Sequence, residues 1–498
     1  MNSIPNNQKE AFVSILNRFL ASPVPLLILG SIISAIYFRI MKLSGNIFQK
    51  DPYIFLDLYP QKSLEAAFYI WLIFFLVGIA IWIANQQIIR SSIGKNHWII
   101  VGTFFLIFSG ILIMTNPFFS QDIFWNLSHG KILTQYHQNP YTTTPENFPE
   151  DPDLNSLFWK DFPMTHGPIW MFLISIPVMV FPHSLALQLF TIRIILFLAM
   201  ILFIYLAINI TKKINPNKTF LTFLALSWQP LILINTINDA HNDILIGGGI
   251  LIGLYLISKL EYIKGFIWLW LIVLIKYVAI LLIPLGMMLL FKNHGWKKTI
   301  KIGLEASLIF LLLTLIFYAP FGYNKNIFAG LSKQAHLFNY ETLSPLQSLL
   351  ATTGFSLAGI KGKDILQDRN KPQQSILSFN TKQPYGLIAS ATKALSILLF
   401  ALGYLWLILK LSYRDQNFLK KGWYVIMLFV VSIPSWFMNW YLIWLTPLAT
   451  ILGFQSIIIM LGFGLITYPY PYTPNTLLIF LIGVISYLFI SIKRAMRL

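Results

Sequence analysis

Long apolar runs broken by short polar segments set the plan of this chain. Runs of spanning character cover Pro23 to Leu43, Ala66 to Ile89, His97 to Thr115, Pro182 to Thr211 and Phe220 to Asn235. They continue at Ile244 to Ser258, Gly265 to Ile275, Val278 to Phe291, Ile302 to Tyr318 and Leu387 to Leu411. The last four are Trp423 to Trp436, Tyr441 to Phe454, Ser456 to Thr467 and Thr476 to Ile492. A helix needs about 20 apolar residues to cross the hydrocarbon core, so several of these require help from neighbours or local thinning. No alternating period of a membrane barrel is present. The pattern therefore predicts an all-α polytopic integral membrane protein with about 14 transmembrane helices.

Orientation follows from the basic residues, which collect on the cytoplasmic side. With both termini inside, Arg90, Lys95, Lys212, Lys213, Lys218, Lys259 and Lys264 fall inside. So do Lys292, Lys297, Lys298, Lys301, Lys410, Arg414, Lys420, Lys421, Lys493, Arg494 and Arg497. Two conditions are needed. Gly167 to Phe181, with Pro168 and Pro177, must be a re-entrant or interfacial helix, and Gly265 to Phe291 must be a hairpin turning near Lys276. The outer face then carries Asn116 to His166, the turn Thr236 to Asp243, and Ala319 to Tyr385. This divides the chain into 1–96 with two extra spans, a module at 97–318 with its first outer loop at 116–166, a long outer loop at 319–385, and terminal spans at 386–498.

Composition narrows the chemistry. Of 498 residues, 56% are hydrophobic and 11% charged, which no water-exposed surface of this size would tolerate. The net charge of +18 is what cytoplasmic loops beside anionic lipid produce, so nucleic acid is not an expected partner. There is no cysteine, which excludes disulfides, thiolate metal sites and cysteine nucleophiles. The N-terminal segment lacks a cleavage-site pattern, and the first span is read as retained.

Candidate chemistry concentrates on the outer segments. In "SQDIFWNLSHGK", helical spacing lines up Asp122, Asn126 and His129 on one side, as a polar edge aimed at a cavity. Asp122, just beyond a span, suits a general base for an acceptor hydroxyl, although a helix-capping role explains the same residue. "NDAHND" packs Asp239, His241 and Asp243 into five residues at a membrane boundary, with Asn242 between them. Two readings fit: a divalent-cation site, or a hydrogen-bonding site for sugar hydroxyls and phosphate. The spacing matches no tetrahedral zinc pattern, and Asp243 also reads as a helix N-cap. Arg193, near mid-bilayer, must face a polar cavity or pair with an acid, and Lys276 presents a cation at the hairpin turn. Both suit a lipid phosphate, with snorkelling the alternative for Lys276. His166 opens the interfacial helix. Trp440 and Tyr441 belong to an aromatic cluster suited to sugar stacking or lipid contact.

Taken in order, "SQDIFWNLSHGKI", "NPY", "HGPIW", "WQPLILINTINDAHNDIL", "IKYVAILLIPL" and "NWYLIWLTPL" resemble the glycosyltransferase C-type membrane enzymes. The resemblance is nearest to the bacterial polyprenyl-phosphate-mannose-dependent α-mannosyltransferases, and it covers roughly Ile99 to Pro447. It implies an inverting transfer of a sugar, mannose, from a polyprenyl-phosphate donor to a glycan or glycolipid acceptor. Asp122 would be the base, Arg193, Lys276 and His241 would meet the donor phosphate, and Asn126, His129, His166, Asp239, Asn242, Asp243, Trp440 and Tyr441 would bind sugar or acceptor. One acid, Asp122, stands where many relatives carry two adjacent acids, which leaves a divalent cation an open question. The implied location is a bacterial inner membrane, or a lumenal face elsewhere. Two other classes compete: a lipid-linked sugar flippase or transporter, which repeated halves would favour but the chain lacks, and an oligosaccharide ligase or polymerase.

Overall fold

The computed structural model describes residues 6–48, 60–155, 157, 159–323, 325–335, 343–359 and 384–467. Among them the chain is helical, with no strand and one isolated bridge between Asn46 and Thr115. The helices in chain order are α1 (Asn6–Ala21), α2 (Val24–Ser44), α3 (Pro60–Ile89), α4 (Lys95–Met114), α5 (Asp122–Thr134), α6 (Pro152–Asn155) and α7 (Pro168–Val180). Then come α8 (Leu185–Ile214), α9 (Thr219–Trp228), α10 (Pro230–Ile232), α11 (Asp243–Ser258), α12 (Tyr262–Val273) and α13 (Leu282–Tyr318). The rest are α14 (Ala329–Ala335), α15 (Pro345–Leu357), α16 (Pro384–Leu409), α17 (Phe418–Ser432), α18 (Thr446–Leu452) and α19 (Phe454–Thr467).

Six helical stretches among the described residues are long and apolar enough to cross a membrane, or seven if one bent pair counts as a single span. Pro168–Val180, Asp243–Ser258, Tyr262–Val273 and Phe454–Leu465 are apolar but shorter. The protein is thus a multi-pass helical membrane protein, but length alone does not supply about 14 spans. The expected span 476–492 and its basic flank lie outside the described residues, as does 360–383 of the long loop.

Two compact units share the chain. The first takes Met1–Gln121, Leu185–Ile244 and Ala449–Leu465. In it α2 packs on α3 and α4, and α8 on α9. The Trp228 indole donates to Val101 O at 2.9 Å, tying the end of α9 to α4. Pro230 then breaks the helix, because proline lacks an N–H and forces the preceding residue out of the helical region. Gln229 is accordingly extended (φ −63°, ψ 122°), and the helices on either side are bent by 41°. After α10 the backbone loosens to a π-helix over Leu233–Asn238, and Ala240 follows in the left-handed region at φ +53°.

The second unit takes Asp122–Ser184, Leu245–Leu448 and Ile466–Leu498. Its α12 and α13 form the expected hairpin: Phe266 of α12 lies against Gly286, and Asn293 Nδ2 donates to the Tyr262 hydroxyl at 2.9 Å. The chain turns between them through Lys276 and a 3₁₀ segment, Tyr277–Leu281. At Gly295 the backbone reaches φ +73°, a conformation glycine adopts without strain, so α13 is two helical segments meeting there. Those segments correspond to the two runs expected at 278–291 and 302–318. The proline-bounded α7 spans 13 residues, about 20 Å, too short to cross a bilayer alone and suited to an interfacial or re-entrant helix.

Candidate functional site

In the second unit, hydrogen bonds join Asp122 to Asn126 and α7, and join the start of α7 to the backbone just before Lys276. Asp122 is the first residue of α5 and half-buried. Its carbonyl accepts from Asn126 Nδ2 at 2.7 Å, and Asn126 Oδ1 accepts from the Trp170 indole of α7 at 2.7 Å. One turn on, Gly130 lies against Ile174 O and Val178, so α5 and α7 run parallel with their N-termini at the same end. There, Gly167 N donates to Ile275 O at 2.9 Å and Ile169 N to Leu274 O at 3.0 Å. These bonds satisfy amides that a helix start leaves unpaired, and they place His166 beside the strand of backbone that carries Lys276.

Lys276 Nζ lies 5.0 Å from the Tyr441 ring centre and 5.1 Å from that of Trp444. The two rings stack at 4.6 Å and 22°, which their spacing within the 3₁₀ helix Asn439–Trp444 explains, since positions three apart eclipse there. Lys276 is therefore held on an aromatic pair, an interaction of about 1 kcal/mol. Trp440, nearly buried, sits edge-on to Tyr441 at 6.3 Å.

Asn126 and His129 share a side of α5, along which Ile123 through Gly130 are all buried. The His129 ring is fully buried against Trp125 at 4.5 Å, with Nδ1 2.9 Å from Trp125 O, and burial pushes its pKa down to about 4. The "NPY" residues are a clasp: the Tyr141 hydroxyl donates to His166 O at 3.0 Å, and Asn139 Nδ2 to Phe321 O at 2.7 Å. Beyond α5, Lys131 reaches Asp151 at 2.6 Å and Asp153 at 3.0 Å, and the Tyr136 hydroxyl reaches Asp151 at 2.6 Å. Burial alone would raise the Asp151 carboxyl, but these bonds hold it below the ordinary carboxylate range.

The first unit holds a second polar group. Arg193 is fully buried; Nη1 donates to Ile113 O at 2.6 Å and Thr115 O at 2.7 Å, and Nη2 to Asn238 O. Asn238 Nδ2 points at Leu112 O, Thr115 O and Asn116 O at 3.3, 3.0 and 3.1 Å, while Oδ1 accepts from Phe118 N at 3.2 Å. The Asp239 carboxylate accepts from Phe118 N and Phe119 N, both at 3.3 Å, with the Ser120 amide also on it and Arg193 its nearby counter-charge. His241 N donates to Asn235 O at 2.8 Å, Asn242 is buried, and Asp243 opens α11. Among the described residues no group of three carboxylate or imidazole side chains converges, and the chemistry proposed for this chain uses no cation.

Residues 26–292, more than half of the chain, match the family model described as alpha-(1->6)-mannopyranosyltransferase, N-terminal domain, of the MptA_B family. The chain belongs to that family. It is an α-mannosyltransferase of the glycosyltransferase C type, as the ordered motifs anticipated. The match reaches from α2 into α13 and takes in Asp122, Arg193, the 239–243 turn and Lys276, leaving Trp440 and Tyr441 beyond it. No curated protein and no solved structure matches the chain. A mannosyltransferase needs a sugar donor and a glycan acceptor, and this one works from a membrane. Trp170, Trp444 and Asn238 were not singled out from the sequence; the i,i+3 spacing of Tyr441 and Trp444 was the signal that could have found their stacking.

Proposed function

We propose that the chain transfers mannose from a polyprenyl-phosphate donor to a glycan or glycolipid acceptor at the outer face of a bacterial inner membrane. Asp122 takes the acceptor hydroxyl's proton as its oxygen attacks the anomeric carbon from the face opposite the phosphate. The C–O bond to phosphate breaks and polyprenyl phosphate leaves as an anion, giving inversion in one displacement without a protein nucleophile. The observation that carries this reading is the bonded framework from Asp122 through Asn126, Trp170 and Gly167 to Ile275. It ties the backbone of Asp122, through α5 and α7, to the chain that bears Lys276, with the positive ends of two parallel helices on the same side, which suits a departing phosphate. In this scheme Lys276 meets the phosphate, Tyr441 and Trp440 offer ring faces to sugar, and His166 stands beside them as a hydrogen-bonding group. His241, Asn242 and Asp243 stay assigned to sugar or phosphate contact.

The test is transfer from radiolabelled polyprenyl-phosphate mannose in membranes carrying the wild type or Asp122→Asn, which preserves shape and removes the base. Loss of a general base costs about 10²–10⁴-fold, so the variant should fall by at least that lower figure while remaining folded. Equal transfer by both would remove Asp122 from the mechanism. No transfer by either, across several lipid-phosphate sugars, would refute the donor assignment.

A further inference from the structure

The buried group in the first unit lies where a phosphate contact was expected, yet every hydrogen bond described for Arg193 ends on a backbone carbonyl. The polarity of its targets is ordered along the chain. Leu112, Ile113 and Thr115 belong to the end of α4, where a helix leaves carbonyls unpaired and carries partial negative charge. Donors meet them: the Arg193 fork and Asn238 Nδ2. Phe118, Phe119 and Ser120 follow in a non-helical stretch whose amides point outward, and acceptors meet those: Asn238 Oδ1 and the Asp239 carboxylate. Irregular backbone inside a membrane protein must be satisfied internally. Here three side chains do so for most of the nine residues that end two positions before Asp122, while the backbone of Gly45 and Ile47 pairs with Asn116 N and Met114 O.

We propose that Arg193, Asn238 and Asp239 are positioning residues that clamp the backbone from Leu112 to Ser120 and thereby set where Asp122 is presented. The inference rests on the reading of Asp122 as the base. It makes Asn238 a functional residue and moves Arg193 and Asp239 away from the substrate.

Arg193→Lys separates the two roles. A phosphate accepts lysine as a point charge, but one ammonium cannot reproduce a planar fork spread over three carbonyls. The chain has no cysteine, so Gln121→Cys gives a unique site for a spin label on the clamped segment. Three readouts are taken on purified full-length protein in nanodiscs: transfer kinetics, binding of polyprenyl phosphate, and label mobility. Arg193→Lys and Asp239→Asn should each lower kcat about 100-fold, the scale of an ångström-sized misplacement, with polyprenyl phosphate binding within threefold and a mobilised label. Near-normal transfer with an immobile label in Arg193→Lys would overturn the clamp. So would lost polyprenyl phosphate binding with an immobile label, which would make Arg193 a donor ligand. A mobilised label with kcat unchanged would overturn the positioning role, and failure of both variants to fold would reduce the group to stability alone. Asp122→Asn, run alongside, judges the base independently, because label mobility does not depend on it.

Discussion

Replacing Gly167 with alanine probes the joint on which the framework of the second unit depends. A Cβ at this position would sit 2.2 Å from Leu274 O and 2.4 Å from Leu274 C. Both are backbone atoms at the end of α12, so no side chain can rotate away, and the two segments must separate. Overpacking of this kind costs about 1–3 kcal/mol. Separation also strains the Gly167 N to Ile275 O and Ile169 N to Leu274 O bonds, each worth about 1 kcal/mol net. The sum is a loss of roughly 1–5 kcal/mol, at the upper end if both bonds break.

The joint also matters for chemistry. His166 precedes the joint on one side and Lys276 follows it on the other, so a shift there separates the cation from the α5–α7 helix starts. Thermal unfolding in detergent should drop by at least about 3 °C. Transfer should fall about 10–100-fold, with the loss in both KM for the donor and kcat. Wild-type melting and wild-type kinetics in Gly167→Ala would refute the reasoning, because the contact would then be loose enough to admit a methyl group and could not register Lys276.

Two further expectations concern single residues. His129 is held neutral by burial, with its pKa lowered to about 4 from 6.5, so the unfolded chain binds the proton first as pH falls. Its contribution is complete above pH 6.5 and is lost progressively toward pH 4, about 3 kcal/mol in all, and His129→Phe should flatten the melting-temperature profile across that window. Ala240 holds a left-handed backbone at φ +53°, so Ala240→Gly should leave thermal stability unchanged or raise it by up to about 1 kcal/mol, whereas Ala240→Val should lower it measurably in the same melting assay.

Much of the architecture was legible because its causes are local. Apolar length announced α2, α4 and α8, and Pro168 and Pro177 announced a short α7. Lys276 marked the turn of the α12–α13 hairpin because a lone cation interrupts an apolar run. Two features rest on more than local pattern. Short apolar helices such as Tyr262–Val273 and Asp243–Ser258 fall below spanning length by themselves, since composition fixes polarity but not how far a helix reaches. The second concerns α5, where Asp122, Asn126 and His129 lie on one side and Asn126 is bonded to the Trp170 indole of α7. Whether a polar side faces solvent or a buried partner such as the Trp170 indole is a tertiary fact that spacing does not carry.

The same limit applies to Arg193 and Asp239, whose residue types alone do not say whether they meet substrate or backbone. A charge deep in a membrane protein is costly wherever it sits, so it must be compensated, and substrate is only one means of compensation. The other is backbone. The stretch between α4 and α5 is non-helical, and unwound chain inside a membrane protein exposes carbonyls and amides that water cannot reach. Three side chains divide that demand by polarity, the guanidinium and amide nitrogens taking the carbonyls and the carboxylate taking the amides. Polar residues clustered around an active site therefore belong to two populations, those that touch substrate and those that hold unwound backbone in place. They look alike in sequence and differ in what their hydrogen bonds reach, so Arg193 is expected to tolerate lysine poorly, while Lys276, if it meets only the phosphate's charge, should tolerate arginine.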